Sequence, residues 1–284
     1  MSNRHEFPLQ VMCRVLAVSR SGYYEWLSRK DSPRKLANKA LKNRIKVIYA
    51  ASYKTYGSPR ITEELRDQGV RCSEKRVARL MKEEKIKSIH HKRLYKPMTT
   101  QSDHQEPIAE NVINQDFSAA APNQKWGCDI TYVPTAEGWL YLAVVLDFFS
   151  RKIVGFAASE SPDTDLICKA LITAAGRNQL PPELIHHSDR GVQYASFRYR
   201  QLLKSMGIRQ SMSRRGNCYD NAMTESFFHT LKVELVHTKD YASFEVANND
   251  IGDYIENFYN SQRRHSSLSY KSPSAFLAQW RLAT

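Results

Sequence analysis

Two neighbouring stretches, WGCDITYVP at residues 126–134 and WLYLAVVLDFF at residues 139–149, decide the fold class. The first alternates apolar and polar side chains and is rich in Ile, Thr, Tyr and Val, as is typical of a β-strand. The second is an almost continuous apolar strand, and Glu137-Gly138 between them predicts a turn. The chain is therefore expected to form an antiparallel strand pair here.

The pattern continues with a third strand at 152–158, after a turn at Ser150-Arg151. Helices and short strands then alternate. The predicted elements are a helix at 163–178, a strand at 184–188, a helix at 197–206, a strand at 208–212, and helices at 221–237 and 244–263. Three sequential strands followed by alternating helices and strands predict an α/β domain with a mixed five-stranded sheet and helices on both faces.

The excess of basic over acidic residues lies entirely in the first third of the chain. The 284 residues carry a net charge of +13, yet residues 1–100 contain 24 lysines and arginines against nine acidic residues, while residues 101–284 contain 18 against 20. A basic unit joined to a near-neutral one indicates a polyanion-binding module attached to a domain that acts on the polyanion. An anionic membrane is the competing partner, but the segment lacks the strongly apolar face that membrane binding needs.

The basic segment is predicted to be helical, with apolar residues at helical spacing between Leu36 and Tyr49. Ser58-Pro59 predicts a helix start, Gly69 a helix end, and Ser73 the cap of the next helix. Two short helices joined in this way resemble a helix-turn-helix over about 58–86. The basic residues of its second helix are candidate DNA contacts, although a solvated basic hairpin is the alternative: Lys75, Arg76, Arg79 and Lys82.

These patterns divide the chain into four segments. Residues 1–96 are predicted to be the basic all-α DNA-binding module, and 97–122, which has little periodicity, a linker. Residues 123–270 form the predicted α/β domain, and 271–284 a C-terminal tail.

Several protein classes are excluded by the sequence. No apolar run approaches the roughly 18 residues of a membrane span, and Arg4, His5 and Glu6 argue against a secretory signal. The five cysteines are scattered, which suits neither a disulfide framework nor a zinc site and is typical of a reducing cytoplasm. They are Cys13, Cys72, Cys128, Cys168 and Cys218. A cytoplasmic location is expected.

Three carboxylates stand out by position. Asp129 lies within the first strand, Asp189 ends the fourth strand beside a glycine turn, and Glu225 lies in the first turns of a long helix. The carboxyl ends of sheet strands are where open α/β sheets bind ligands. Clustered carboxylates need a hard cation to offset their repulsion, and such a trio can hold two Mg²⁺ ions for phosphodiester chemistry. For any one of these residues, a turn cap or surface charge is the simpler interpretation.

The strings around these acids resemble those of a known family. Exactly 35 residues separate Asp189 from Glu225, and the flanking strings are PNQKW (122–126), DITY (129–132), HSDRG (187–191), DNA (220–222) and ESFF (225–228). These strings, and the segment from Tyr259 to Pro273, are similar to those of DDE transposases of the third insertion-sequence family, OrfB type, within the retroviral-integrase superfamily.

The resemblance implies a ribonuclease-H-like integrase core in which Asp129, Asp189 and Glu225 bind two Mg²⁺ ions, with Mn²⁺ as a substitute. It also implies cleavage that exposes a DNA 3′-hydroxyl, followed by strand transfer. Lys232, two helical turns after Glu225, would contact the DNA backbone near the cleavage point.

The implied partners are the terminal inverted repeats of an insertion element, target DNA, and further copies of the chain on that DNA. The basic pair Arg263-Arg264 is predicted to help hold extended DNA. Family transposases commonly carry an upstream OrfA segment with a leucine zipper; this chain begins near a typical OrfB start and has no sustained heptad run, so an OrfA-type partner is expected. Two alternatives stay open: a catalytically silent DNA-binding regulator, and a plain nuclease that cuts without joining.

Overall fold

The two stretches that decide the fold class pair as predicted. In the computed structural model, which describes residues 6–89, 105–214 and 218–283, strands β1 (Lys125–Thr135) and β2 (Gly138–Asp147) form an antiparallel hairpin. Thr135 pairs with Gly138, so the turn residues are Ala136 and Glu137. Gly138 opens β2 with φ +126°, a conformation that favours glycine.

Three more strands complete a five-stranded mixed sheet in the order β3-β2-β1-β4-β5. Strand β3 (Ile153–Ser159) pairs antiparallel with β2, whereas β4 (Ile185–Ser188) runs parallel to β1 and β5 (Arg209–Met212) runs parallel to β4. The predicted sheet is thereby confirmed, including the position of each strand to within about three residues.

One face of the sheet is covered by α6 (Thr164–Arg177). Helices α7 (Val192–Ala195) and α8 (Phe197–Ser205) lie beside α6. The Asp163 carboxylate caps α6 by accepting a hydrogen bond from the Leu166 N–H at 2.9 Å. The helix lies close to β3 because Gly155 has no side chain: a Cβ there would lie 2.4 Å from the Ala170 carbonyl oxygen.

The opposite face is covered by α9 (Ala222–Glu234) and α10 (Phe244–Asp253). Both helices are shorter than the predicted 221–237 and 244–263. A 3-10 turn follows α9, and a π-helical segment at Tyr254–Tyr259 continues α10. Helices on both faces agree with the predicted α/β architecture.

The N-terminal region is all-helical, as predicted. Its helices are α1 (Leu9–Val15), α2 (Arg20–Ser28), α3 (Pro33–Ala51), α4 (Ser58–Asp67) and α5 (Glu74–Glu83). The hydroxyl of Ser73 caps α5 by accepting a hydrogen bond from the Arg76 N–H. The apolar faces of α3, α4 and α5 belong to the same buried cluster as α9 and α10, so this region packs directly on the sheet domain.

The segment predicted to be a linker packs against the sheet over its described part. Residues 90–104 lie outside the described residues. From residue 105 the chain follows β5: the Val112 N–H donates to Ser211 Oγ at 3.0 Å, and Ile113 is buried. A short helix, α11 (Pro273–Ala283), ends the described chain. Within these ranges no helix is both long and apolar enough to span a bilayer.

Candidate active site

Asp129 lies on β1, and Asp189 directly follows β4, the parallel strand beside it. The parallel pairing of β1 with β4 sets Gly127 beside His187, and each aspartate follows two residues later along its own strand direction. The Asp189 carboxylate accepts a hydrogen bond from the Gly191 N–H at 2.9 Å, which fixes the turn after β4. The sheet register thus brings the first two predicted acids to the same edge, where β4 ends.

Glu225 is brought to the same edge by α9. The start of this helix crosses β1 closely, because a Cβ on Gly127 would lie only 2.6 Å from Thr224 Oγ1. The side-chain amide of Asn221 donates to the Cys128 carbonyl oxygen at 3.4 Å. Successive strand residues alternate between faces, so Asp129 shares the Gly127 face on which α9 packs. Glu225 is exposed.

The three acids influence one another electrostatically. The pKa of Asp129 is raised well above its usual value, first by burial and then by the negative charges of Asp189 and Glu225. The positive charge of Lys232 acts in the opposite direction. Negative charge from three distant parts of the sequence therefore accumulates at one place.

Lys232 lies at the rim of this acidic cluster, two turns along α9 from Glu225. Its Nζ is 4.1 Å from the centroid of the Tyr132 ring, a cation–π contact. Sequence reasoning did not single out Tyr132, since an aromatic residue in a strand ordinarily indicates packing. A DNA contact by Lys232 stays a prediction.

The donor set has the chemistry of a divalent-cation site. Carboxylate oxygens are the ligands that Mg²⁺ prefers, and the buried Asn221 Oδ1 and Thr224 Oγ1 next to Glu225 have no hydrogen-bond partner. As they stand, no three His, Cys, Asp or Glu side chains in the described parts of the chain are grouped so as to hold a metal ion. The residue types fit such a cation, and chelation needs the side chains to approach further.

Other buried acids are compensated by hydrogen bonds or ion pairs. Asp147 accepts hydrogen bonds from the N–H groups of Asn123 and Ser150 at 2.9 and 3.0 Å. Asp220 pairs with Arg214, which holds the pKa of its carboxyl well below the usual range. These acids have structural roles and do not belong to the cluster.

A hydrogen-bonded network lies beneath the site. The rings of His186 and His187 diverge: His186 contacts Tyr199 Oη at 3.0 Å and His187 contacts Ser211 Oγ at 2.8 Å. Burial lowers the pKa of these histidines to about 3 and about 4, so both are neutral at pH 7. Cys128 is buried against His186. The side chain of Cys218 lies outside the described residues.

The predicted DNA-contact residues of α5 differ in exposure. Lys75, Arg79 and Lys82 are exposed, and Arg79 forms an ion pair with Glu83. Arg76 is half-buried and donates through Nε and Nη2 to Asn38 Oδ1 on α3, at 3.0 and 2.7 Å. Three of the four side chains are therefore available to a partner.

Arg263 and Arg264 have roles that the sequence did not indicate. Arg263 is buried and forms a double ion pair with Glu234, at 2.7 and 2.8 Å. Arg264 bridges to the N-terminal module through Glu64 and Asp67 on α4. The expectation that this pair holds extended DNA is replaced by a structural role, because both guanidinium groups are engaged by carboxylates inside the protein.

Comparison with known proteins places these observations in a family. Integrase core domain models match residues 119–218 and 206–273, and an HTH-like domain model matches residues 35–93. The chain is similar to an uncharacterized 31 kDa protein of insertion element IS600 from Shigella sonnei, with 46% identity over 93% of this chain and 97% of the relative. It is also similar to transposase InsF of insertion sequence IS3A from Escherichia coli K12, with 42% identity over 95% and 94%.

Solved structures give weaker similarity. The HTLV-2 integrase catalytic core in complex with magnesium aligns with 17% identity and a TM-score of 0.45, covering 56% of this chain and 99% of that one. The simian T-cell lymphotropic virus intasome with a PP2A regulatory subunit aligns with 15% identity and a TM-score of 0.47, covering 82% and 74%. On the sequence relatives and the matching domains, the chain belongs to the IS3-family transposases, with a helical HTH-like module followed by an integrase core domain.

Proposed function

We propose that this transposase cuts DNA at the ends of an insertion element and joins the freed 3′ ends to a second phosphodiester, using Asp129, Asp189 and Glu225. The observation that carries the proposal is the placement of these acids: Asp129 lies on β1, Asp189 directly follows the adjacent parallel strand β4, and Glu225 lies on the helix packed across Gly127. The 42% identity with an InsF transposase over most of both chains supports the same activity.

The proposed cofactor is a pair of Mg²⁺ ions, with Mn²⁺ as a substitute, held by the three carboxylates. When bound, such a pair activates the attacking oxygen and stabilises the leaving oxygen of an in-line displacement. Asp129 and Asp189 offer oxygens from the rigid sheet, whereas Glu225 offers them from α9. Lys232 would position a DNA phosphate at the rim of the site.

The two reactions balance without any energy-supplying co-reactant. In cleavage, a water oxygen bonds to phosphorus, the bond from phosphorus to the 3′ oxygen breaks, and that oxygen takes up a proton. In joining, the freed 3′-hydroxyl oxygen bonds to the phosphorus of a second strand and loses its proton, while that strand's own 3′ oxygen leaves. Each joining step therefore exchanges one phosphodiester for another.

The N-terminal module would hold the DNA. Its exposed Lys75, Arg79 and Lys82 lie on one short helix, as phosphate contacts require. The proposed partners are the element's terminal inverted repeats, target DNA, further copies of this chain, and an OrfA-type segment. The site of action would be the nucleoid of a bacterial cytoplasm.

A strand-transfer assay tests the proposal. Purified protein is incubated with labelled element-end DNA and Mg²⁺, and the products are separated by length. Joined products are expected, and they should disappear in EDTA. Nicked products alone would indicate a nuclease, and retarded but uncut DNA a silent regulator; either outcome would overturn the joining activity.

A further inference from the structure

A second polar site lies on the other side of α9. It is a cavity of about 350 Å³ between α4, the turn before β3, α9 and the segment that follows the π-helix. Arginines from three separate parts of the chain line it: Arg60 from α4, Arg151 from the turn, and Arg263. Such a concentration of guanidinium groups is unusual in a cavity that holds no acidic side chain among its described lining residues.

Two of these arginines lack a carboxylate partner. Among the residues that the structure describes, neither Arg60 nor Arg151 forms an ion pair, whereas Arg263 is paired with Glu234. Burial lowers the pKa of both unpaired arginines. The acid near Arg151, Asp147, is already engaged by backbone N–H groups. The cavity therefore carries uncompensated positive charge.

The ring of His265, which also lines the cavity, lies in the field of the same arginines. The pKa of its ring is lowered to about 2, first by burial and then by Arg263, Arg60 and Arg151. The ring is thus neutral at pH 7 and adds no positive charge of its own. All three arginines thus act on this one ring, and all three line the same cavity.

Hydroxyl groups surround the mouth of the cavity. Ser226 and Thr230 project from one face of α9, and the exposed Ser266 and Ser267 lie opposite. Arginine forks and hydroxyl donors are the groups that bind phosphate oxygens in proteins. A carboxylate ligand would use the arginines but would leave most of these hydroxyl donors without an acceptor.

We propose that this cavity binds a phosphate group of the DNA backbone, held by Arg60 and Arg151 with hydroxyl donors from α9. The identity of the ligand rests on the proposed function, because a protein that acts on DNA meets phosphodiesters at high local concentration. Ser226 directly follows Glu225, so the cavity and the acidic cluster are separated by no more than the width of one helix, about 10–12 Å. One DNA strand could reach both.

The proposed site also links DNA binding to the arrangement of the two modules. Arg60 belongs to the HTH-like module, and Arg151 belongs to the integrase core. A phosphate held by both arginines would make one attractive contact with each module, in place of the repulsion between the two positive charges. DNA bound here is thus expected to strengthen the docking that Arg264 provides through Glu64 and Asp67.

The test measures the salt dependence of DNA binding in EDTA, with wild type, Arg60→Gln, Arg151→Gln and the double variant. The double variant should lower the slope of log K against log salt by about 0.9, the value for one phosphate, and not by about 1.8. Arg60→Lys with Arg151→Lys should keep most of the slope because the charge remains. The exposed pair Arg209→Gln with Arg281→Gln, which loses the same charge away from the cavity, should leave the slope unchanged.

A second measurement separates DNA from free phosphate as the ligand. Inorganic phosphate should raise the melting temperature of wild type above that in chloride at equal ionic strength, and the double glutamine variant should lose this gain. A phosphate-dependent gain together with an unchanged DNA slope would overturn the DNA assignment in favour of a free-phosphate site. If the variants are folded and neither effect is seen, neither the fall in salt slope nor the phosphate-dependent gain in melting temperature, the proposed site is wrong. Because the binding assay contains no divalent ion, these failures are distinct from a failure of the carboxylate chemistry.

Discussion

Glu225 and Glu234 stand at opposite ends of the same helix and have opposite surroundings. Glu234, at the end of α9, is buried in a double ion pair with Arg263 and also accepts a hydrogen bond from Tyr254 Oη at 2.7 Å. Glu225, in the first turn, is exposed and adds its negative charge to that of Asp129 and Asp189. The carboxylate at the end of α9 is paired with a cation, whereas the carboxylate in its first turn adds to the repulsion among three negative charges.

The difference distinguishes an acid that stabilises the fold, Glu234, from one whose surroundings suit chemistry, Glu225. A carboxylate surrounded by a cation and donors stabilises the fold, and removing it leaves a buried charge. Carboxylates held near one another cost free energy, since each opposes the ionisation of the next. Such an arrangement is typical of sites that bind a cation or transfer a proton. Substitutions in the acidic cluster and at Glu234 should consequently have opposite effects on stability.

The largest effect is expected from Asp189→Asn. Loss of a proposed metal ligand should reduce cleavage and joining by far more than the roughly 100-fold that loss of an outer-shell partner can cost. DNA binding should persist, because it depends on the basic module. Strand-transfer assays and gel retardation measure the two properties; a variant that joins DNA normally, or that no longer binds it, would break the division between chemistry and binding.

At the C-terminal end of α9, Glu234→Gln should lower the stability of the protein. It leaves Arg263 buried without a counter-charge, and breaking a buried pair in this way costs about 3–5 kcal/mol. Urea unfolding gives the free energy. The matched control is Glu256→Gln, which removes a surface ion pair with Arg177 and should cost less than about 1 kcal/mol. Equal losses in the two variants would contradict a structural role for Glu234.

Asp129→Asn should instead stabilise the protein when divalent ions are absent. The pKa of Asp129 is higher in the folded protein than in the unfolded chain, so its ionised form costs folding free energy at pH 7. The free energy of unfolding at pH 7 in EDTA is therefore expected to be larger for Asp129→Asn than for wild type.

The difference in stability between wild type and Asp129→Asn should depend on pH. As the pH falls, the folded wild type takes up a proton at Asp129 before the unfolded chain does, so wild type gains stability and the difference from Asp129→Asn disappears near pH 4. Unfolding curves at several pH values measure it. A variant less stable than wild type at pH 7 in EDTA would mean that the acids do not repel one another.

The smallest effect concerns the basic module. Lys75→Gln with Lys82→Gln should reduce the salt slope of DNA binding by up to about 1.8, if each lysine neutralises one phosphate. Arg76→Gln should change the slope less, because Asn38 already engages its guanidinium. Fluorescence anisotropy over a range of salt concentrations measures both. A larger change for Arg76 than for the lysine pair would contradict the exposure seen on α5.

Local sequence patterns were sufficient to predict the sheet and the positions of two of the acids. Alternation and β-branched residues identify β1 to β3, and the position of Asp189 after a short strand places it at a strand end. The 35-residue spacing to Glu225 pointed to the third acid only through resemblance to a family. Its approach to β1 depends on the contact between Gly127 and Thr224, nearly 100 residues apart.

The incorrect expectation for Arg263 and Arg264 has a physical cause. The pair makes the segment after Glu225 basic, and on that ground it was expected to hold extended DNA. Their partners lie far away in sequence: Glu234 is 29 residues from Arg263, and Glu64 is 200 residues from Arg264. A single sequence shows charge but not the long-range pairing that removes it from the surface. The same limit concealed the cavity formed by Arg60 and Arg151.

The most direct test of the central claim is anomalous diffraction from crystals of the transposase grown with element-end DNA and Mn²⁺. Two manganese peaks are predicted, coordinated between them by carboxylate oxygens of Asp129, Asp189 and Glu225, with the 3′ end of the DNA beside them. Manganese bound elsewhere, in crystals that still join DNA when dissolved, would contradict a catalytic role for the three acids.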